Sequence, residues 1–345
     1  MDNFEKLMKE ASRIHEDNFG NETWFEKCIF LSWYCDLDCK FCYRPTQKSA
    51  TPETSKKSLS AILAEAMIIK NLGWKLHFLT SGYGSYSREG FVEIAKKVKE
   101  VNKEKTWLNL GVMSNNTLEN FRDYIEGVFA SIETANEDVQ KKVCPKKPMK
   151  PYVHMLNNLK NYGKGMAIVI GLGETLDDIP KLHKLIEETK IDKLSMYALT
   201  PIKGTEFTHG PEEKYYAEWI ARTRIAFPKL EISAGTWVNR VKSLSLVLRA
   251  GANSVTKFPM IKMYRSPETL KIREQMEEAG RIFKGNIFDL PDIDWDENVE
   301  RLSFDDKLKS DIKGKISSYI GGMKESAEKN PLVLAAGDSA SCCSS

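Results

Sequence analysis

From about residue 28 to residue 256 the chain keeps returning to one pattern: a short β-branched or apolar run, followed by an amphipathic helical stretch. Candidate strands lie at 28–33, 75–80, 107–112, 127–132, 166–170, 193–199, 231–234 and 253–256. Between them, apolar residues recur three and four apart. Leu59, Ile62, Leu63, Ala66, Met67 and Ile69 form one such face, stopped by Gly73, and Phe91, Val92, Ile94, Ala95, Val98 and Val101 form the next. Further helices are expected over 151–162, 176–188, 211–226 and 241–250. Eight alternations over about 230 residues predict an α/β fold, a TIM-like (β/α)8 barrel, complete or splayed open, with a doubly wound sheet as the competing arrangement. Past residue 260 the alternation stops. Helical patterns follow near 266–280 and 304–326, then the tail "NPLVLAAGDSASCCSS". The expected division is an N-terminal helix (1–21), a barrel (22–262), and a helical C-terminal extension ending in a Cys-containing tail (263–345).

Charge narrows the function classes. Fifty-one basic and 48 acidic residues leave a net charge of +3, which gives no electrostatic case for binding nucleic acid or a membrane surface. No run approaches the roughly 18 apolar residues that span a bilayer. The N-terminus, "MDNFEKLMKEASRIHED", is acidic and polar rather than signal-like, so a cytoplasmic protein is expected. Seven cysteines in such a chain point to metal or redox chemistry before structural disulfides.

Three of those cysteines sit in "CDLDCKFCYRP": Cys35, Cys39 and Cys42. Thiolates at these intervals can be presented by one loop to a single compact metal centre. A structural zinc would need a fourth Cys or His; the nearest downstream histidine, His77, falls on a candidate strand and reads as a packing residue. A [4Fe–4S] cluster held by three protein ligands leaves one iron open to an external ligand.

A CxxxCxxC after the first strand of a (β/α) barrel, with Phe41 before the last cysteine, resembles the radical S-adenosylmethionine (SAM) superfamily. The resemblance implies that SAM's amino and carboxylate groups chelate the open iron of the cluster. It also implies that reductive cleavage gives a 5′-deoxyadenosyl radical that abstracts hydrogen from an unactivated C–H bond; the cofactors supply this chemistry and the protein positions it. Other segments extend the likeness. "LTSGYGS" supplies Ser81, Gly82 and Tyr83 where the family meets SAM's amino group, although a plain tight turn reads the same way. "SIETAN" places Glu133 at the barrel mouth, against a surface-carboxylate reading. "IVIGLGET" offers Gly171 and Glu174 near adenine, though Glu174 could equally support the next helix. "ALTPIKGTEF" offers Pro201. Trp33, Tyr34 and Tyr43 are expected to shield the cluster, to pack on adenine or simply to fill the core. Arg265 reads by default as an exposed basic residue.

"ETANEDVQKKVCPKKP", "GLGET" and "PIKGT" resemble the biotin synthase-like group, and "FLSWYCDLDCKFCYRPTQKS" is most similar to archaeal-type lipoyl synthase subunits. That likeness implies a sulfurtransferase whose auxiliary [4Fe–4S] cluster is sacrificed into the product. Cys144, Cys342 and Cys343, with an oxygen of Ser339 or Ser341, could hold such a cluster if the tail folds back; the tail thiols could equally be incidental. Cys28 is expected to open the first strand, seven residues or roughly 23 Å from Cys35, and to pack as a small hydrophobe. The implied partners are an octanoylated lipoyl-carrier protein as substrate, a homologous second sulfur-inserting subunit, and ferredoxin or flavodoxin as reductant. The alternatives are a single-cluster maturase or mutase of the same barrel and a non-catalytic iron–sulfur or zinc module.

Overall fold

The computed structural model describes residues 2–331; Ser339, Ser341, Cys342 and Cys343 lie outside them. A first helix, α1 (Asn3–Phe19), leads into β1 (Glu22–Phe30), α2 (Leu59–Asn71), β2 (Lys75–Thr80), α3 (Arg88–Asn102), β3 (Thr106–Asn109) and the single turn α4 (Asn115–Leu118). Then follow β4 (Ile125–Glu133), α5 (Glu137–Val143), α6 (Lys150–Asn158), β5 (Gly163–Ile170), α7 (Ile179–Thr189), β6 (Lys193–Ala198) and α8 (Glu213–Ala226). The barrel ends with β7 (Glu231–Gly235), α9 (Leu244–Arg249) and β8 (Ser254–Thr256). After it come α10 (Pro267–Glu278), β9 (Ile282–Lys284), α11 (Trp295–Glu300) and the long α12 (Asp306–Lys329).

The eight strands pair in parallel in chain order, and β1 bonds both β2 and β8. The sheet is therefore a closed TIM-like barrel, which excludes the doubly wound arrangement. β9 adds a short parallel pairing to the first residues of β1. α12 packs on α2, and α1 packs on α8 and α9. No helix among the described residues is long and apolar enough to cross a membrane.

The first strand is displaced from its expected place. It runs over Glu22–Phe30 rather than 28–33, because polar Glu26 and Lys27 mask its first half. Glu26 is 2% exposed and survives inside the barrel because it is fully bonded: His77 Nδ1 lies at 2.5 Å, the Ser233 hydroxyl at 2.7 Å and the Trp24 indole N–H at 3.1 Å. Burial pushes its carboxyl up, but His77, Lys193 and Ser233 more than offset this and hold it below the ordinary range. His77 bonds Ser195 through its other ring nitrogen at 2.8 Å, so it packs as a satisfied polar residue.

Two bulges shape the interior. A register shift between β1 and β2 turns both His77 and Phe78 inward, and another at the end of β4 re-aims Glu133 (φ +70°) into the mouth. The floor is filled by Trp107 and Phe129. Glycines opposite leave their room: a Cβ on Gly165 would lie 2.7 Å from the Phe129 ring.

Candidate active site

The loop after β1 carries the three thiols, and its neighbours fix it through backbone bonds. The Lys40 amide donates to Val143 O (2.9 Å), Cys42 to Cys39 O (3.0 Å), and Asp36 to Tyr83 O (3.2 Å). Cys35 Sγ accepts the amides of Tyr83 (3.3 Å) and Leu37 (3.5 Å). Gly82 presses directly on this loop: a Cβ there would stand 2.5 Å from Cys35 Cβ and 2.9 Å from its Cα. The glycine of "LTSGYGS" is thus needed for close approach to a thiol-bearing residue, beyond what a turn alone requires.

At the mouth, the Lys147 ammonium bonds the Glu133 carboxylate, with the Tyr152 ring 5.0 Å from the ammonium. Burial favours a neutral Lys147, but the Glu133 carboxylate and the nearby Cys39 thiolate outweigh it and favour the charged form. The Tyr83 and Tyr152 hydroxyls bond each other, and the Val112 amide donates to Tyr83 Oη at 3.2 Å.

A cavity of about 950 Å³, counted out to its mouth, joins these parts. Its wall brings together Cys35, Cys39, Cys42, Ser81, Gly82, Tyr83 and Glu133. Tyr43, Gly171, Glu174 and Pro201 do not line it. Glu174 turns into its own loop, accepting the amides of Gly171 (2.6 Å) and Leu172 (2.9 Å), so it shapes the turn after β5 instead of facing a ligand. Pro201 borders a separate groove with Trp237 and Val238. Nor do Trp33 and Tyr34 shield the cavity: Trp33 is 42% exposed, and the Tyr34 hydroxyl bonds Asp36 at 2.5 Å. Phe30, Leu37, Phe41 and Phe78 provide the apolar wall. Arg265 pairs with Asp289 at 2.5 Å, away from the thiols.

Two other cysteines lie close to these three thiols. Cys144 is buried beside Cys39, in the same apolar cluster. The neighbouring Cys144 thiol favours the thiolate at Cys39, whereas Cys39 and burial push the Cys144 thiol up. Cys28 lies near the mouth end of β1 and lines the cavity, because the strand begins six residues earlier than its pattern suggested. Sequence reading also missed Asn109, Ser131, Lys147, Tyr152, Tyr197 and Lys257. Several of these stand at or just past the C-terminal ends of strands, the positions that form the mouth of such a barrel.

Among the described residues no three Cys, His, Asp or Glu side chains surround one ion-sized point. Three thiols on one wall, amides directed at Cys35 Sγ, and a glycine cradle beside them make a donor set suited to a [4Fe–4S] cluster with SAM.

Comparison with known proteins agrees with this geometry. A family model described as the radical SAM superfamily matches residues 30–186. An uncharacterized protein of Methanocaldococcus jannaschii is 34% identical over 335 residues, covering 90% of this chain and 92% of its own. The 3-methylornithine synthase of Methanosarcina acetivorans is 26% identical, covering 73% and 74%. The biotin synthase of Clostridium tetani is also 26% identical, covering 73% and 81%. A crystal structure of methylornithine synthase superposes with a TM-score of 0.66 at 24% identity, covering 73% and 77%, and so shares the fold. These relatives lend no support to the lipoyl synthase likeness. By its fold, its thiol-lined cavity and these relationships together, the chain belongs to the radical SAM superfamily.

Proposed function

We propose that the protein abstracts hydrogen from a C–H bond of a small substrate enclosed in the barrel, using a single cluster, as a mutase or maturase of the biotin synthase-like group. The observation that carries this reading is the position of Cys144. A thiol packed on a ligand of the SAM-cleaving centre cannot also hold a separate cluster at a distance. The similarity to 3-methylornithine synthases points the same way. When bound, the cluster and SAM supply one-electron cleavage of the sulfonium. The chain's own part is positional. Cys35, Cys39 and Cys42 would hold the iron, and the backbone at Ser81–Tyr83 sits against Cys35. Glu133, fixed by Lys147, offers a carboxylate to the SAM amino group. The apolar wall of Phe30, Leu37, Phe41 and Phe78 excludes water from the reacting centre. A low-potential ferredoxin or flavodoxin would be the electron donor.

Sulfur insertion is the second reading, favoured by the similarity to biotin synthases. It would recruit Cys144, Cys342 and Cys343, and would have an octanoylated carrier protein and a second sulfur-inserting subunit as partners. Anaerobic reconstitution separates the two readings. About four irons per chain in wild type, Cys144→Ala and Cys342→Ala alike, with reductive formation of 5′-deoxyadenosine surviving deletion of residues 335–345, supports the single-cluster reading. About eight irons in wild type, falling in either variant, supports sulfur insertion. No SAM cleavage by the reduced protein would reject both in favour of a non-catalytic iron–sulfur or zinc module.

A further inference from the structure

Lys257 follows β8 with φ +73°, a left-handed conformation unusual for lysine, and its exposed part faces the cavity. Its ammonium lies 4.5 Å from the Tyr197 ring centroid. Among the described residues no carboxylate comes within ion-pair distance of it; Glu133 is engaged by Lys147. The Tyr197 hydroxyl is likewise without a hydrogen-bond partner, in a side chain only 7% exposed. Beside them Cys28 meets only the Thr256 hydroxyl, at 3.8 Å. Burial pushes its thiol up to about 12, so it stays protonated. Lys257 and Tyr197 both lie on the wall of one cavity, a half-buried cation without an anionic partner and a buried phenol without a hydrogen bond, the latter costly to maintain. In a closed eight-stranded barrel, β8 stands across from β4, which supplies Glu133.

Resting on the radical SAM reading of this cavity, we propose that its β8–β1 side is the seat of the second substrate, and that this substrate carries a carboxylate received by Lys257 and the Tyr197 hydroxyl. Cys28 reports on that seat from β1.

The test alkylates Cys28 in anaerobic, cluster-loaded protein with iodoacetate or with neutral iodoacetamide of similar size, and quantifies the modified peptide by mass spectrometry. The ratio of the two rates cancels the thiol's own sluggishness. In Lys257→Met the ratio should fall about tenfold, equivalent to ~1.4 kcal/mol, and in Lys257→Arg it should hold. In wild type, hexanoate should slow iodoacetamide and hexanamide should not, and the protection should persist with SAM saturating. An unchanged ratio in Lys257→Met, or equal effects of hexanoate and hexanamide, overturns the proposal. So does protection that disappears with SAM while Lys257→Met weakens SAM binding, because the anion is then SAM's own carboxylate. The hexanoate and hexanamide arm needs no variant to fold. Wild-type protein that takes up iron and cleaves SAM keeps the radical SAM reading intact whatever the alkylation result; wild type that does neither sinks that reading instead.

Discussion

Replacing Gly82 with alanine puts a methyl group where the structure has backbone. The added Cβ would stand 2.5 Å from Cys35 Cβ and 2.9 Å from Cys35 Cα, and it would also strike the Tyr34 carbonyl. None of these is the far end of a flexible side chain, so either the loop after β1 or the turn after β2 must move. Overpacking of this kind costs about 1–3 kcal/mol. The movement would also break the Tyr83 amide's bond to Cys35 Sγ, now 3.3 Å, worth about 1 kcal/mol or somewhat more if the sulfur is a thiolate. A total near 3 kcal/mol corresponds to a fall of roughly 4 °C in the melting temperature of a chain of this size, because the unfolding entropy grows with length. The assay is thermal unfolding of cluster-free protein, followed by iron content after anaerobic reconstitution. The Gly82→Ala protein should melt early and bind well under half of the wild-type iron. Gly314→Ala is the control. It lies within α12 with nothing within 4 Å of its added Cβ, and should stabilise by up to about 1 kcal/mol. Wild-type melting and full iron loading in Gly82→Ala would refute the claim that this glycine exists for close approach to the thiol loop.

Three further outcomes follow from the same geometry. Lys147→Met strands the Glu133 carboxylate and should cost about 3 kcal/mol in chemical denaturation; it should weaken SAM binding, measured by titration of the loaded protein, more than iron uptake. Glu174→Ala removes the acceptors for the Gly171 and Leu172 amides and should cost about 1–3 kcal/mol in chemical denaturation while leaving iron content unchanged. His15 of α1 is fully buried against Arg281, and burial together with Arg281 and Arg224 lowers its pKa to about 2. The unfolded chain takes up a proton near pH 6.5 that the folded chain refuses. Stability therefore falls as pH drops below 6.5, by about 2 kcal/mol at pH 5, and His15→Gln should flatten this slope in denaturant melts. Glu26, held low in the fold, adds its own loss only below the unfolded carboxyl range, at more acidic pH.

The amino-acid sequence by itself determined the barrel and its thiol loop. Parallel strands and their covering helices leave local periodicities, and three cysteines within eight residues need no long-range information to be read as one centre. Only the tertiary structure decided what faces what. A bulge reverses which side a residue points to, so Glu133, His77 and Phe78 could not be aimed from alternation alone. The buried Glu26 hid half of β1 because its polarity is compensated by His77 and Ser233, which lie far away in sequence, and that error sent Cys28 to the wrong end of the barrel. Cys144 came to rest on Cys39, and Lys257 came to face the cavity, through closure of the sheet. Closure brings distant strands together at distances that no local pattern encodes.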